Sequence, residues 1–219
     1  MIIDHLIWLL EWYASQCDGD WENKNTIQIS TINNPGWGLS ISLVGTELEN
    51  MPFQKIKISR TENDWVHCFI RNKVFEGACG ALNFAETLQI FHYWVESCDK
   101  ENKEQKHPEI IWRKLGGINM IDDNLTWLIE WYHSQCNGDW EHSYGVHLST
   151  TGNPCWSLTI NLQETELELI PPFPPIQIKR TEHDWLNCSI ENKEFNSSCS
   201  LFNLPEVLQI FRNWVERFE

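Results

Sequence analysis

Trp127-Leu128-Ile129-Glu130-Trp131-Tyr132-His133-Ser134-Gln135-Cys136-Asn137-Gly138-Asp139-Trp140-Glu141 repeats, with few changes, the stretch from Trp8 to Glu22. An offset of 119 sets Gln16-Cys17 on Gln135-Cys136 and Asn34-Pro35 on Asn153-Pro154. One extra proline near Pro171-Pro172 moves the offset to 120, after which Arg60-Thr61-Glu62 meets Arg180-Thr181-Glu182 and Asp64-Trp65 meets Asp184-Trp185. About half of the aligned positions are identical. The period is too long for a solenoid repeat, so the chain reads as tandem copies of one small domain. The expected division is residues 1–98, a connector 99–121, and residues 122–219.

Each copy begins with a helical pattern. Asp4 can cap a helix from about His5 to Gln16, with Leu6, Leu9, Leu10 and Tyr13 at helical spacing, and Asp123 stands in the same place before Leu125, Leu128, Ile129 and Tyr132. Gly19 and Gly138 are placed to close these helices. Strand patterns follow. Trp37, Leu39, Ile41 and Leu43 alternate with small or polar residues, as do Trp156, Leu158, Ile160 and Leu162. Glu47 and Glu49, and in the second copy Glu164, Glu166 and Glu168, fall two apart, which predicts an acidic stripe along a further strand. Lys55 to Ser59 forms another strand, Trp65 to Phe75 reads as a hairpin around Asn72, and Asn83-x-x-Glu86 with Asn203-x-x-Glu206 has capping-box spacing before a last amphipathic helix. The fold class expected is α+β, with two homologous domains. In each, a sheet of about five antiparallel strands has one wet face and one face covered by an N-terminal and a C-terminal helix. Asp99 to His107 reads as a charged connector, and Glu109 to Leu115 as a short segment able to dock.

Composition narrows the function. The apolar content and 13 Trp exclude a disordered chain despite a net charge of −15. No apolar run reaches about 18 residues and the opening residues lack a basic signal region, so a cytoplasmic protein is expected, with eight reduced cysteines and no membrane span. The acidity is shared, −6 over residues 1–98 and −8 over 125–219. Such a field disfavours nucleic acid and anionic lipid and suits a basic partner; solubility alone also accounts for it.

The densest chemistry is Cys17-Asp18-Gly19-Asp20-Trp21-Glu22. It lacks the glycine and distal glutamate of a calcium loop and the spacing of a zinc site, so no metal or other cofactor is expected. A thiol nucleophile needs a base, yet His67 becomes Asn187 and His92 becomes Arg212, which argues against a duplicated His-dependent active site. Asp18, Asp20, Trp21 and Glu22 with Asp139, Trp140 and Glu141 are instead candidate contacts, the tryptophans being the expected interface anchors. Glu47, Glu49, Asp64, Glu164, Glu166, Glu168 and Asp184 complete the acidic candidates.

The run Trp-Leu-x-Glu-Trp-Tyr-x-Ser-Gln-Cys-Asp-Gly-Asp-Trp-Glu, followed by Asn-Pro-Gly-Trp, Arg-Thr-Glu-x-Asp-Trp and Leu-x-Ile-Phe-x-x-Trp-Val, resembles the immunity protein 53 family of bacterial polymorphic toxin systems. The resemblance covers each copy almost end to end. It implies a small cytoplasmic α+β protein, not an enzyme, that binds and neutralises a cognate toxin. That toxin is expected to be basic, with a nuclease as one candidate from charge. The second copy departs from the pattern at Asn137 and Cys155. A Cys-dependent enzyme and a scaffold unrelated to toxins stand as the alternatives.

Overall fold

The computed structural model describes residues 4–101, 123–152 and 154–218. In the first repeat, helix α1 (His5–Gln16) is followed by strands β1 (Ile27–Ile32), β2 (Gly36–Ser42), β3 (Ile56–Ser59), β4 (Trp65–Arg71) and β5 (Val74–Gly80), then helix α2 (Phe84–Glu101). In the second, α3 (Asp123–Gln135) and a one-turn helix α4 (Trp140–Ser143) precede β6 (Val146–Thr151), β7 (Cys155–Asn161), β8 (Ile176–Lys179), β9 (Trp185–Glu191) and β10 (Glu194–Ser200), and α5 (Leu204–Val215) ends the chain. The expected connector lies outside the described residues, except that α2 continues through its first three.

Local chemistry accounts for most boundaries. The Asp4 carboxylate accepts hydrogen bonds from the Leu6 and Ile7 N–H groups, which satisfies two of the four free donors at the start of α1. Gly19 and Gly138 take the expected positive φ, near +100°, but do not close the helices: α1 ends at Cys17 in extended backbone, and the Gly19 and Gly138 N–H groups donate to Glu22 and Glu141. The β4–β5 hairpin turns on Asn72 and Lys73, both at positive φ, and Asn192 and Lys193 repeat it. The capping boxes do not form. Asn83 and Asn203 instead donate to Asp64 and Asp184, so their side chains tie the β3–β4 and β8–β9 turns to the helix starts, and Asn203 also donates to Glu206.

The two sheets are one. All ten strands join in the order β3-β4-β5-β2-β1-β6-β7-β10-β9-β8, with β1 and β6 antiparallel at the centre. There Ile29 faces Leu148, its own counterpart 119 residues on, flanked by Gln28↔Ser149 and Ser30↔His147. A strand that pairs with its own copy in this way lies on a pseudo-twofold axis, as in an isologous dimer. Reciprocal side-chain bonds extend the junction: Ile27 N–H donates to Thr150 Oγ1 at 2.9 Å and Val146 N–H donates to Thr31 Oγ1 at 3.0 Å. The aromatic contacts are reciprocal too. Tyr132 stands 5.0 Å from Trp37 and Tyr13 stands 6.3 Å from Trp156, ring to ring. Tyr132 Oη also accepts from Gly36 N–H and donates to the Ile32 carbonyl.

The helices lie on one face of this sheet. Leu9, Tyr13, Leu39, Phe75, Leu88 and Phe91 are fully buried between the layers in the first repeat, as are Tyr132, Leu158, Phe195, Leu208 and Phe211 in the second. Each such side chain contributes about 1.5–3 kcal/mol of burial energy. Outward positions such as Gln28, Lys57, His147 and Gln177 stand exposed on the opposite face.

Two outcomes follow from this packing. Thr150→Val keeps the side-chain shape but strands the buried Ile27 N–H, and should cost about 1–3 kcal/mol in urea unfolding, within a single transition that reports both repeats together. Burial holds protons on Cys17 and Cys136, raised to about 11, and on Tyr13, raised to about 12. The folded chain therefore binds these protons more tightly than the unfolded one. The contribution of these groups should be constant from about pH 7 to pH 9 and be lost steadily from there towards pH 11–12, read as a declining urea midpoint.

Candidate functional site

The Cys-Asp-Gly-Asp-Trp-Glu loop is built around two acceptors. Asp18 Oδ1 takes the Asp20 N–H at 2.9 Å and the Trp21 N–H at 2.8 Å, and the Glu22 carboxylate takes the N–H groups of Asp18 and Gly19 at 3.2 and 3.1 Å. In the second repeat Asn137 Oδ1 holds the Asp139 and Trp140 N–H groups, and Glu141 holds those of Asn137 and Gly138. The change of Asp18 to Asn137 thus preserves the loop, because only a side-chain carbonyl-type oxygen is needed there. The N–H groups of Trp21 and Asp20 hold the Asp18 carboxyl below its ordinary value. For Glu141 burial pushes upward, but the backbone donors outweigh it and leave this carboxyl below its ordinary value as well.

Trp21 and Trp140, the anchors expected at an interface, are interior. Their exposures are 8% and 1%, and their indole N–H groups donate to the carbonyls of Val44 and Gln163 at 2.6 and 2.8 Å. Glu22 and Glu141 point inward too, at 5% exposure each. The loop presents Asp18 and Asp20, and in the second repeat Asp139, to solvent.

The acidic stripe on a strand does not exist. Residues 44–50 form turns, and Glu166–Leu169 is a 3-10 turn capped by Thr165, with Glu164 at φ 57°. Glu49 pairs with Lys73 and accepts from Gly45 N–H; Glu168 pairs with Lys193 at 2.5 Å and accepts from Glu164 N–H. These two are structural. Glu47, Glu164 and Glu166 remain exposed. Because Trp21 fastens its loop to the turn at Val44, Asp18, Asp20 and Glu47 share one corner of the first repeat, and Asp139 with Glu164 and Glu166 shares the matching corner of the second.

Asp64 and Asp184 are elsewhere. The strand registers put the β3–β4 turn at the Gly36–Gly80 end of the sheet, opposite the end from which Ile27 departs. There Arg60 bridges Asp64 and Glu86, and Arg180 bridges Asp184 at 2.9 Å and Glu206 at 2.6 Å. The Arg60 hydrogen bond holds Asp64 below its ordinary value; for Asp184 the larger cause is Asn203, with Arg180 second. The repeated Arg-Thr-Glu-x-Asp motif therefore ties a turn to the C-terminal helix. Arg60, Glu86 and their counterparts were not among the sequence candidates, although the 26-residue interval from arginine to glutamate recurs in both copies.

The thiols of this loop are quiet. Cys17 and Cys136 donate to the carbonyls of Tyr13 and Tyr132, and burial pushes both pKa values to about 11, so neither is a thiolate near neutrality. Histidine plays unrelated parts in the two copies. The His92 ring stacks on Trp8 at 4.0 Å, where Arg212 lies 5.9 Å from the Trp127 ring in the second repeat. Among the described residues there is no cluster of three metal-ligating side chains, and no helix is long and apolar enough to cross a membrane.

No curated protein and no solved structure matches the chain. The sequence profile of immunity protein 53 matches twice, over residues 6–96 and 125–216, so each match takes in one helix–sheet–helix unit with its acidic corner. The chain belongs to the immunity protein 53 family, with the family's domain present in duplicate.

Proposed function

We propose that this chain is a cytoplasmic, stoichiometric inhibitor that binds a cognate toxin and covers its active or substrate-binding surface. The observation that carries this reading is the double family match, because immunity proteins act by neutralising a toxin partner. The charge distribution supports a basic partner. The exposed carboxylates Asp18, Asp20 and Glu47, with Asp139, Glu164 and Glu166, project from corners whose inward residues are already satisfied by the fold. An acidic surface of this kind speeds encounter with a basic one, and a nuclease with a cationic substrate groove fits that description. Direct binding of nucleic acid or membrane is disfavoured by the net charge of −15.

The competing reading, a thiol enzyme, has Cys17 and Cys136 as its repeated loop nucleophiles, and burial keeps both protonated; the other repeated pairs, Cys68 with Cys188 and Cys79 with Cys199, are buried in the core. Replacing Cys17 and Cys136 by Ser should leave toxin affinity and protection unchanged. Loss of protection with affinity intact would favour chemistry. The contact surface is tested separately. Asp20→Lys with Asp139→Lys should slow association with the toxin encoded beside this gene by roughly 3–10-fold and flatten its dependence on salt, measured by stopped-flow mixing. Unchanged rates and salt dependence would remove the corners from the interface.

A further inference from the structure

The two repeats keep their core-facing side chains and differ on the open face of the sheet. Along the outer strands, the inward positions Val66, Cys68, Phe75 and Cys79 become Leu186, Cys188, Phe195 and Cys199. On the open face of the first repeat stand Lys57, His67, Phe69 and Arg71, with Lys55 and Arg71 5.7 and 5.8 Å from the Phe69 ring. The matching positions of the second repeat are Gln177, Asn187, Ser189 and Glu191. At these positions bulk and positive charge give way to polar side chains and one carboxylate, while elsewhere on the face Ser59 and Glu76 become Lys179 and Asn196. The result is a groove of about 430 Å³, whose lining includes Gln177, Asn187, Ser189, Glu191, Asn196 and Ser198.

We infer that this groove receives an arginine- or lysine-bearing segment of the toxin, so that the second repeat holds the partner and the first does not; the inference rests on the inhibitor reading above. Three observations favour a cationic protein segment. The groove's side chains offer amide and hydroxyl oxygens as acceptors together with one anion, Glu191, and its lining contains no Lys or Arg. Glu191 lies at the β9–β10 hairpin, which is fastened to the acidic 164–168 turn by the Leu162 N–H bond to the Lys193 carbonyl and by the Lys193–Glu168 ion pair. Groove and acidic corner are therefore joined through one hairpin in this repeat, with the Lys193 ammonium between them paired to Glu168. The first repeat presents Lys55 and Lys57 at the same place, with Arg71 3.8 Å from Glu76, and the two lysines and the Phe69 ring would exclude such a segment.

The first repeat also supplies the test, since it shows that the fold accepts Phe and Arg where the second has Ser189 and Glu191. Ser189→Phe with Glu191→Arg should fold with an unchanged urea midpoint and lose at least about 100-fold in affinity for the toxin encoded beside this gene. The reverse exchange in the first repeat, Phe69→Ser with Arg71→Glu, should not weaken binding. Wild-type binding with an unaffected groove variant overturns the groove and leaves the inhibitor reading standing. No wild-type binding overturns that reading, and the groove is then decided by amide chemical shifts on adding amidated Gly-Arg-Gly-Arg-Gly-Arg. Shifts at Asn187, Ser189 and Ser198 that are absent with the Gly-Glu peptide support it; shifts confined to other surfaces overturn it.

Discussion

The antiparallel pairing of β1 with β6 fixes everything else in this molecule. Ile29 against Leu148 sets the pseudo-twofold axis, and the threonine and tyrosine contacts on either side are its reciprocal consequences. An isolated copy would leave β1 as an edge strand with unpaired N–H and C=O groups, the usual template for unwanted association. Duplication within one chain removes that edge, because the partner strand is always present at high effective concentration. The edges that remain, β3 and β8, are four residues long and are preceded by Pro52 and by Pro171, Pro172, Pro174 and Pro175, which suits strands that must not recruit others.

A shared sheet also leaves two similar halves free to differ on one surface. The core face is constrained by packing on both repeats, so a charge there would carry the cost of burying an unpaired ion. The open face carries no such constraint. Lys57, His67, Phe69 and Arg71 on one side and Gln177, Asn187, Ser189 and Glu191 on the other stand on equivalent backbone, and exchange bulk for space and positive for negative without touching the core. In the proposed division of labour, the exposed carboxylates steer the toxin inward and the second repeat holds it, while the first completes the scaffold.

Local signals made the individual elements legible in the sequence. The Asp4 cap and the Asn72 turn rest on interactions among residues close in the chain, and they appear as expected, whereas Gly19 and Gly138 keep their positive φ but serve the loop and not the helix end. The acidic stripe failed because the alternation in Glu164-Thr165-Glu166-Leu167-Glu168 is too short to specify a strand once Thr165 Oγ1 captures the Leu167 N–H and Glu168 captures the Glu164 N–H. Trp21 looked exposed because its sequence neighbours are acids; what buries it is a carbonyl 23 residues away and Gly45, where a Cβ would sit 3.3 Å from the indole. The fusion of two sheets into one was invisible, since Ile27 to Ile32 has the same pattern at an edge as at a centre. Exposure of Asp18, Asp20 and Asp139 followed from the turn chemistry, whereas the groove depends on which residues face one another across β7 to β10.

In the proposed mode of action this duplicated module disables its toxin by occupying it, one toxin to one chain. Residual toxin activity measured against increasing amounts of the purified protein should then fall linearly, reach zero at one chain per toxin and not change with incubation time. Complete loss of toxin activity at a small fraction of that ratio, growing with time, would mean turnover and would contradict it, as would an end point at one chain per two toxins.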